Sequence, residues 1–340
     1  MGGIFMIWYK ENNDGIIIST RIRLARNLEK YPFPATMTKE HSNEAVKEIE
    51  DAILNSNSTL SNIFTVYHIG EINDVEKHML YEKHLISPDM LNKPFGSVMV
   101  SKDDSMSLML MEEDHMRLQI IMGGLKLDEA YETASRVDDV IDEQVKYAFD
   151  KDFGYLTSCP TNTGTGLRAS VMMHLPALTL TDNMSRIITS AGNLGIAVRG
   201  LYGEGSKAYG NLYQISNQVT LGMSEKEIIE KIKNIVNQIA EHEKEAREKI
   251  YKNNKNIIED KVYRAYGTLK YARSISSQEA KTLISEVILG KNMGIIPDID
   301  ENLIELLIST EPAFIEHSAN KRLTPQERDL KRAELIREKI

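Results

Sequence analysis

The stretch "SVMVSKDDSMSLMLMEEDHMRLQIIM" (residues 97–122) decides how the rest of the chain is read. Apolar and polar residues alternate on both sides of "KDDS" (102–105), the period-two pattern of strands with a buried face. Two such runs separated by a short polar break predict an antiparallel hairpin. "RLQIIM" (117–122) adds the next strand after the charged turn "MEEDH".

Further strands lie on either side. "GIIIST" (15–20) is a short β-branched run, and "IAVRGLYG" (196–203) and "NLYQISNQVTLG" (211–222) flank the glycine-rich loop "YGEGSKAYG". Between them the period changes: Tyr131, Ala134, Val137, Ile141, Val145 and Ala148 recur every three to four residues, which predicts a long helix over 127–149. Ser224 and Glu227 form a capping-box pattern opening a helix with Ile228, Ile232, Ile235 and Ile239 on one stripe. That helix runs out in "KNNKN" (252–256), a domain boundary. Beyond it Ser276/Glu279 and Thr324-Pro325-x-Glu327 open further helices. The expected fold is α+β: a mostly antiparallel sheet flanked by helices in a domain over 1–250, then a small all-α domain over 257–340.

Composition narrows the function. In 340 residues, 41% are hydrophobic and 27% charged, which is globular and excludes disorder. A net charge of −9 offers no nucleic-acid surface. One cysteine, Cys159, makes no internal disulfide; no apolar run approaches the roughly 18–20 residues that span a bilayer, and "GIFMIWY" lacks a basic leader. A cytoplasmic protein away from membranes is expected.

No GxxxxGK[ST] loop is present, and the histidines and single cysteine form no metal motif. "GTGLRA" (164–169) matches the loose dinucleotide pattern GxGxxA, but no clear strand leads into it. "STRIRLAR" (19–26) puts Arg21 and Arg23 on one face of a strand. Two adjacent guanidinium groups repel unless an anion lies between them, and a polyphosphate suits both. A solvated strand edge with carboxylate partners fits the octapeptide equally. "MEEDHMR" (111–117) sets Glu112 and Glu113 near Arg117, and reads either as a site or as a charged turn. "RGLYGEG" (199–205) holds Arg199 and Glu204 in a loop able to close over a ligand, or in an ordinary hairpin loop.

The ordered set "STRIRLAR", "EEDHMR", "CPTNTGTGLRAS" and "RGLYGEG" resembles the phosphagen (guanidino) kinases over roughly residues 15–246. The long blocks at 154–178 and 199–222 look closest to the bacterial protein-arginine kinases of the McsB type. The C-terminal "RDLKRA" (328–333) is similar to that subfamily's RDxxRA motif. Only 18 residues precede "STRIR", so the helical lid domain that closes on free arginine or creatine in other members is expected to be missing.

The resemblance implies transfer of the ATP γ-phosphoryl group to guanidinium groups of protein arginines, with Mg²⁺ held mainly through ATP and by no protein metal site. Nucleotide contacts are implied for Ser19, Thr20, Arg21, Ile22, Arg23, His84 (in "EKHLISP"), Arg117, Arg168, Ala169, Ser170, Val171, Met172, Arg199, Gly200, Leu201, Tyr202, Gly203 and Glu204. Glu113 and Glu204 hold and deprotonate the acceptor, with Glu112 behind them. Cys159 positions the guanidinium as a thiolate rather than attacking covalently. Arg328, Asp329, Arg332 and Ala333 bind phosphoarginine allosterically. Implied partners are a zinc-binding activator, a heat-shock repressor, the Clp ATPase/protease and a second copy of the chain. One departure stands out: the family's Asn before Glu-Glu-Asp is Met111 here, which leaves the orientation of Glu112 to be found. Two other readings remain, a phosphoarginine-reading adaptor without catalysis and a kinase of a small guanidino compound.

Overall fold

Alternation builds the first strand: in β1 (Ile17–Arg26), Thr20, Ile22 and Leu24 are buried while Arg21 and Arg23 project from the opposite face. The structure, a computed structural model, describes residues 15–200, 209–297, 299 and 302–340. After β1 come α1 (Lys39–Leu54), β2 (Phe64–His68), α2 (Asp74–Glu82), β3 (Ser97–Ser101), β4 (Met106–Leu110), β5 (Met116–Gly123) and α3 (Leu127–Asp142). A small hairpin of β6 (Phe149–Asp150) and β7 (Gly154–Tyr155) precedes β8 (Leu167–His174), α4 (Pro176–Leu180), α5 (Met184–Asn193), β9 (Ile196–Gly200) and β10 (Leu212–Asn217). Helices complete the chain: α6 (Glu225–Tyr271), α7 (Ser277–Asn292), α8 (Leu303–Ser309), α9 (Pro312–Ala319) and α10 (Pro325–Lys339).

Eight strands form one sheet in the order β2-β3-β4-β5-β1-β8-β10-β9. The hairpin expected around "KDDS" is there, with Val100 opposite Ser107, and β5 joins antiparallel with Arg117 opposite Met109. The described residues fall into two compact units. The first holds Thr20–Ser170 and Ser216–Lys233; the second holds residues 15–19, Val171–Ile215 and the described residues from Asn234 to Ile340. In the first unit α3 packs on β5 and against α1, burying Ala130, Ala134, Val137 and Ile141 with Ala45, Ile49 and Ile53. In the second, α7 is buried along Ile284, Val287 and Leu289 and packs on α4 and α8.

Two expectations shift, and one weak motif match falls away. The helix predicted over 127–149 stops at Asp142, because the following backbone turns to pair with the end of β1: Ala148 N–H donates to Asn27 O (2.7 Å) and Glu29 N–H to Lys146 O (2.9 Å). Val145 and Ala148 are still buried, which is why the pattern overran. At "KNNKN" the helix does not run out: its hydrogen bonding continues through α6, with a kink where Asn254 is non-helical (φ −136°, ψ 36°). "GTGLRA" leads into strand β8 rather than a helix, and a dinucleotide site needs the helix N-terminus. Glycine is required there: at Gly164 (φ +116°) a Cβ would lie 2.9 Å from Thr220 O, and at Gly166 (φ +64°) 2.6 Å from Ala25 O.

Candidate active site

Three adjacent strands bring arginines together. Arg117 comes from β5, Arg21 and Arg23 from β1, and Arg168 from β8, in the sheet order β5-β1-β8. Arg23, Arg117 and Arg168 line a cavity of about 70 Å³ together with Glu113 and Asn162, and its floor includes Ala25 and Gly166. Burial, then the positive fields of Arg117 and Arg168, lower the pKa of Arg21 to about 10. For Arg23, burial and then Arg21, Arg117 and Arg168 lower it well below the usual guanidinium value, opposed by Glu112. The Nε atoms of Arg23 and Arg117 are buried with no hydrogen-bond partner among the described residues. Crowded cations with orphaned donors are costly unless a multivalent anion enters among them. A polyphosphate therefore fits this donor set.

The turn between β4 and β5 supplies the carboxylates. Met111 opens it at φ +60°, a left-handed conformation that costs a non-glycine residue about 1–2 kcal/mol and that asparagine tolerates better. The Met111 departure thus falls where backbone conformation, and not only side-chain chemistry, distinguishes the two residues. Glu112 is firmly oriented all the same. It is 2% exposed, its Oε2 lies 2.9 Å from Arg117 Nη1 and accepts from Glu113 N–H (3.1 Å), and its Oε1 accepts from Ser87 Oγ. Glu113 faces the pocket. Partial withdrawal from solvent, then the neighbouring Asp114 and Glu112, push its pKa above the usual carboxylate range against the pull of Arg117. A carboxylate tuned upward is a better proton acceptor near neutral pH.

Asp114 ties this turn to the cysteine loop. Its Oδ1 accepts from Ser158 N–H (2.7 Å) and from Asn27 Nδ2 (2.7 Å), while Ser158 Oγ donates to Glu113 O (2.8 Å). Cys159 is half-buried, with Sγ 3.0 Å from Thr161 Oγ1. The carbonyl of Cys159 accepts from Asn162 N–H (2.9 Å), so the cysteine sits one turn from a residue of the pocket wall without lining the pocket itself.

Several anticipated contact residues are also bonded or buried within the fold. Ser19 and Ile22 are buried; Thr20 Oγ1 donates to Gly124 O (2.8 Å) and accepts from Lys126 N–H (3.0 Å). Ala169 N–H donates to Asn217 Oδ1 (2.9 Å), Ser170 Oγ donates to Arg21 O (3.3 Å), Val171 is buried, and Met172 is half-buried. His84 takes a left-handed backbone (φ +61°) and accepts through its carbonyl from Gln119 Nε2 (2.7 Å). Arg199 and Gly200 close β9 in the second unit. Leu201, Tyr202, Gly203 and Glu204 lie outside the described residues.

Sequence reasoning missed Ser87, Asp114, Ser158 and Arg26. Arg26 is even-numbered in a strand whose odd positions carry Arg21 and Arg23, so the period of two already sends it to the buried face. There it meets Asp138 (2.7 Å), lies 3.5 Å over the Tyr155 ring and donates to Thr165 O (3.0 Å), bracing the Gly-Thr-Gly loop. Ser87 carries no comparable signal in the sequence.

The RDLKRA motif starts in the first turns of α10, whose capping box between Thr324 and Glu327 forms as expected. Arg328 Nη1 pairs with Glu316 Oε1 (2.7 Å). Arg332 is 1% exposed: Nε donates to Thr310 O (2.7 Å), and Nη1 donates to Ile275 O (2.8 Å) and Asp329 Oδ1 (2.6 Å). Ala333 is fully buried. The two arginines are thus engaged with protein partners instead of facing one common opening.

Among the described residues, no three Asp, Glu, His or Cys side chains gather so as to hold a metal ion, and no helix is long and apolar enough to cross a membrane.

Known proteins are similar to this chain in sequence and in fold. Residues 44–246 match the family described as ATP:guanido phosphotransferase, C-terminal catalytic domain, and residues 255–340 match the Protein-arginine kinase McsB C-terminal domain. The chain is 46% identical to a protein named protein-arginine kinase from Brevibacillus brevis, over 96% of this chain and 92% of that one. It is also 46% identical to the Bacillus subtilis protein of the same name, over 98% and 93%. Among solved structures, a lombricine kinase aligns with TM-score 0.60 at 25% identity, over 69% of this chain and 68% of that one. A duplicated taurocyamine kinase from Schistosoma mansoni aligns at 0.59 and 26%, over 70% of this chain and 36% of that longer one. On sequence, fold and a family match over more than half of its length, the chain belongs to the ATP:guanido phosphotransferase family.

Proposed function

We propose that this chain is an ATP-dependent protein-arginine kinase that phosphorylates arginine side chains of protein substrates. The observation that carries the reading is the convergence of Arg23, Arg117 and Arg168 with Glu113 around one pocket, beside Arg21, whose hold on its proton the fields of Arg117 and Arg168 weaken. The relatives, named protein-arginine kinase and aligned over more than nine-tenths of both chains, support it and do not favour a non-catalytic reader or a small-molecule kinase.

ATP supplies the transferable γ-phosphoryl group, and Mg²⁺ accompanies its phosphates. Phosphoryl transfer depends mainly on positioning and charge neutralisation. Arg21, Arg23, Arg117 and Arg168 neutralise the phosphate oxygens, a part the family resemblance gives to Arg199 as well; Glu112 fixes Arg117 against them. The acceptor guanidinium is protonated far above neutral pH, so it needs a carboxylate to hold its fork and draw off a proton. Glu113 takes that part, with Glu204 as second carboxylate. Cys159 steadies the acceptor nitrogen from the neighbouring loop. The same reading extends to a catalytic part over 1–250 and a helical part over 257–340 that recognises phosphoarginine through Arg328, Asp329, Arg332 and Ala333. It also extends to a cytoplasmic homodimer in a stress response, with an activator, a repressor and the Clp machinery as partners.

The test uses Mg-ATP with an unfolded arginine-bearing protein and, separately, free arginine, followed by mass spectrometry without acid. Phosphate on protein arginines, reduced by about 10²–10³-fold in Glu113→Gln, is expected. Label on free arginine alone, or on neither acceptor, overturns the reading.

A further inference from the structure

Four large apolar side chains stand exposed on two segments beside the pocket: Phe149 (60%) and Phe153 (56%) on the β6–β7 hairpin, and Val219 (51%) and Leu221 (46%) after β10. Both segments flank the loop 161–166, which supplies Asn162 and Gly166 to the pocket. On one side Tyr155 and Gly164 exchange backbone hydrogen bonds (2.8 and 3.3 Å), and a Cβ on Gly154 would lie 2.5 Å from Gly164 O. On the other, Thr220 Oγ1 donates to Thr163 O (2.6 Å), and a Cβ on Gly164 would lie 2.9 Å from the Leu221 Cα. Three strips of backbone thus run side by side, the middle one entering the pocket and the outer two carrying the apolar residues. Exposed apolar groups clustered beside a functional cleft mark an interaction surface. The hairpin also carries Asp150 and Asp152 on either side of Lys151, a net charge of −1 that is compatible with a segment bearing arginine.

We propose that the β6–β7 hairpin and the Val219–Leu221 segment form a substrate rim that binds apolar side chains next to the target arginine of an extended polypeptide. This rests on the protein-arginine kinase reading and adds to it a selectivity: arginines flanked by leucine or phenylalanine are phosphorylated faster than arginines flanked by glycine and serine. The arginine cluster holds the donor, and the rim holds the acceptor chain.

Two peptides of equal charge test it, one with Leu and Phe around a single arginine and one with Gly and Ser. Partial burial of one or two such side chains gives the wild type about a five-fold advantage in kcat/KM on the apolar peptide. Phe149→Ser/Phe153→Ser and, independently, Val219→Ser/Leu221→Ser should reduce that advantage to less than about two-fold, with the Gly/Ser peptide unaffected. The second pair avoids the packing of Phe149 on Tyr155 (ring centroids 5.2 Å apart). Equal rates on both peptides in the wild type, or selectivity retained in both variants, overturns the proposal. A change in solution mass in the variants with selectivity intact overturns it too, assigning the patch to self-association. Phosphorylation of free arginine but of neither peptide instead rejects the underlying kinase reading.

Discussion

The arginines of β1, β5 and β8 and those of α10 are one kind of side chain in opposite circumstances. In α10 the Arg332 guanidinium is buried among acceptors, with Thr310 O, Ile275 O and Asp329 Oδ1 all within 2.8 Å. In the sheet, Arg21 and Arg23 lose affinity for their protons because burial and further arginines surround them, and the Nε atoms of Arg23 and Arg117 go without partners among the described residues. One set is complete within the protein. The other crowds like charges and leaves the Nε atoms of Arg23 and Arg117 without acceptors among the described residues, and a fold keeps such strain at functional sites. Arg117 stands between the two, held by Glu112 on one nitrogen and orphaned on another.

The comparison breaks most clearly at Arg23. Arg23→Met should slow phosphoryl transfer by about 10³-fold, the scale of removing a group that stabilises developing charge. The melting temperature without nucleotide should hold or rise, because like charges are thinned out. A large loss of stability with the rate retained would put Arg23 among the structural arginines. Arg332→Met should do the reverse. It strands buried carbonyls and costs about 3 kcal/mol in urea unfolding. If instead stability stays within about 0.5 kcal/mol and binding of phosphoarginine disappears, Arg332 belongs with the ligand-binding set.

How much of this was readable in advance depends on the range of the interactions. Alternation in 97–122 located three strands and the carboxylate turn, because a strand's buried face is written every second residue. The same period placed Arg21 and Arg23 together on β1. That β5, β1 and β8 lie side by side is a long-range fact: the arginines at 21, 117 and 168 meet through strand order, which no local pattern encodes. The end of α3 was hidden because Val145 and Ala148 stay buried after the helix has stopped. The inward course of Arg332 was invisible for a related reason, since a charged residue four positions from another looks like a solvated face until its buried acceptors are known. Ser87 contributes from 25 residues away, through a single hydroxyl.

That hydroxyl offers a finer test of Arg117's intermediate standing. Ser87→Ala removes a donor to the buried Glu112 carboxylate, and the loss of one hydrogen bond to a charged group should slow transfer by about ten-fold. The Km for ATP should rise along with it, since Glu112 aims Arg117, and Ser87→Thr should restore much of the rate. Slower transfer with unchanged Km for ATP would detach Glu112 from the phosphate-binding set and leave it serving Glu113 alone.

The smallest expected shift is one of stability, at Glu113, where the same trade between function and comfort shows in a carboxylate. Acting as base, it must be ionised, so kcat/KM should rise with pH through its pKa and then level. Because burial and the charges of Asp114 and Glu112 raise that pKa, the rise should fall above the usual carboxylate range. The sign for stability is opposite. Between the unfolded and the raised folded pKa the native state binds more protons, so ionising Glu113 destabilises the fold as pH climbs through that window. Glu113→Gln should therefore abolish the acid limb of the rate profile and unfold at slightly higher denaturant than the wild type at neutral pH. If it is equally inactive but less stable, Glu113 is bonded like Arg332, and the division between complete and waiting charges fails at the residue nearest the reaction.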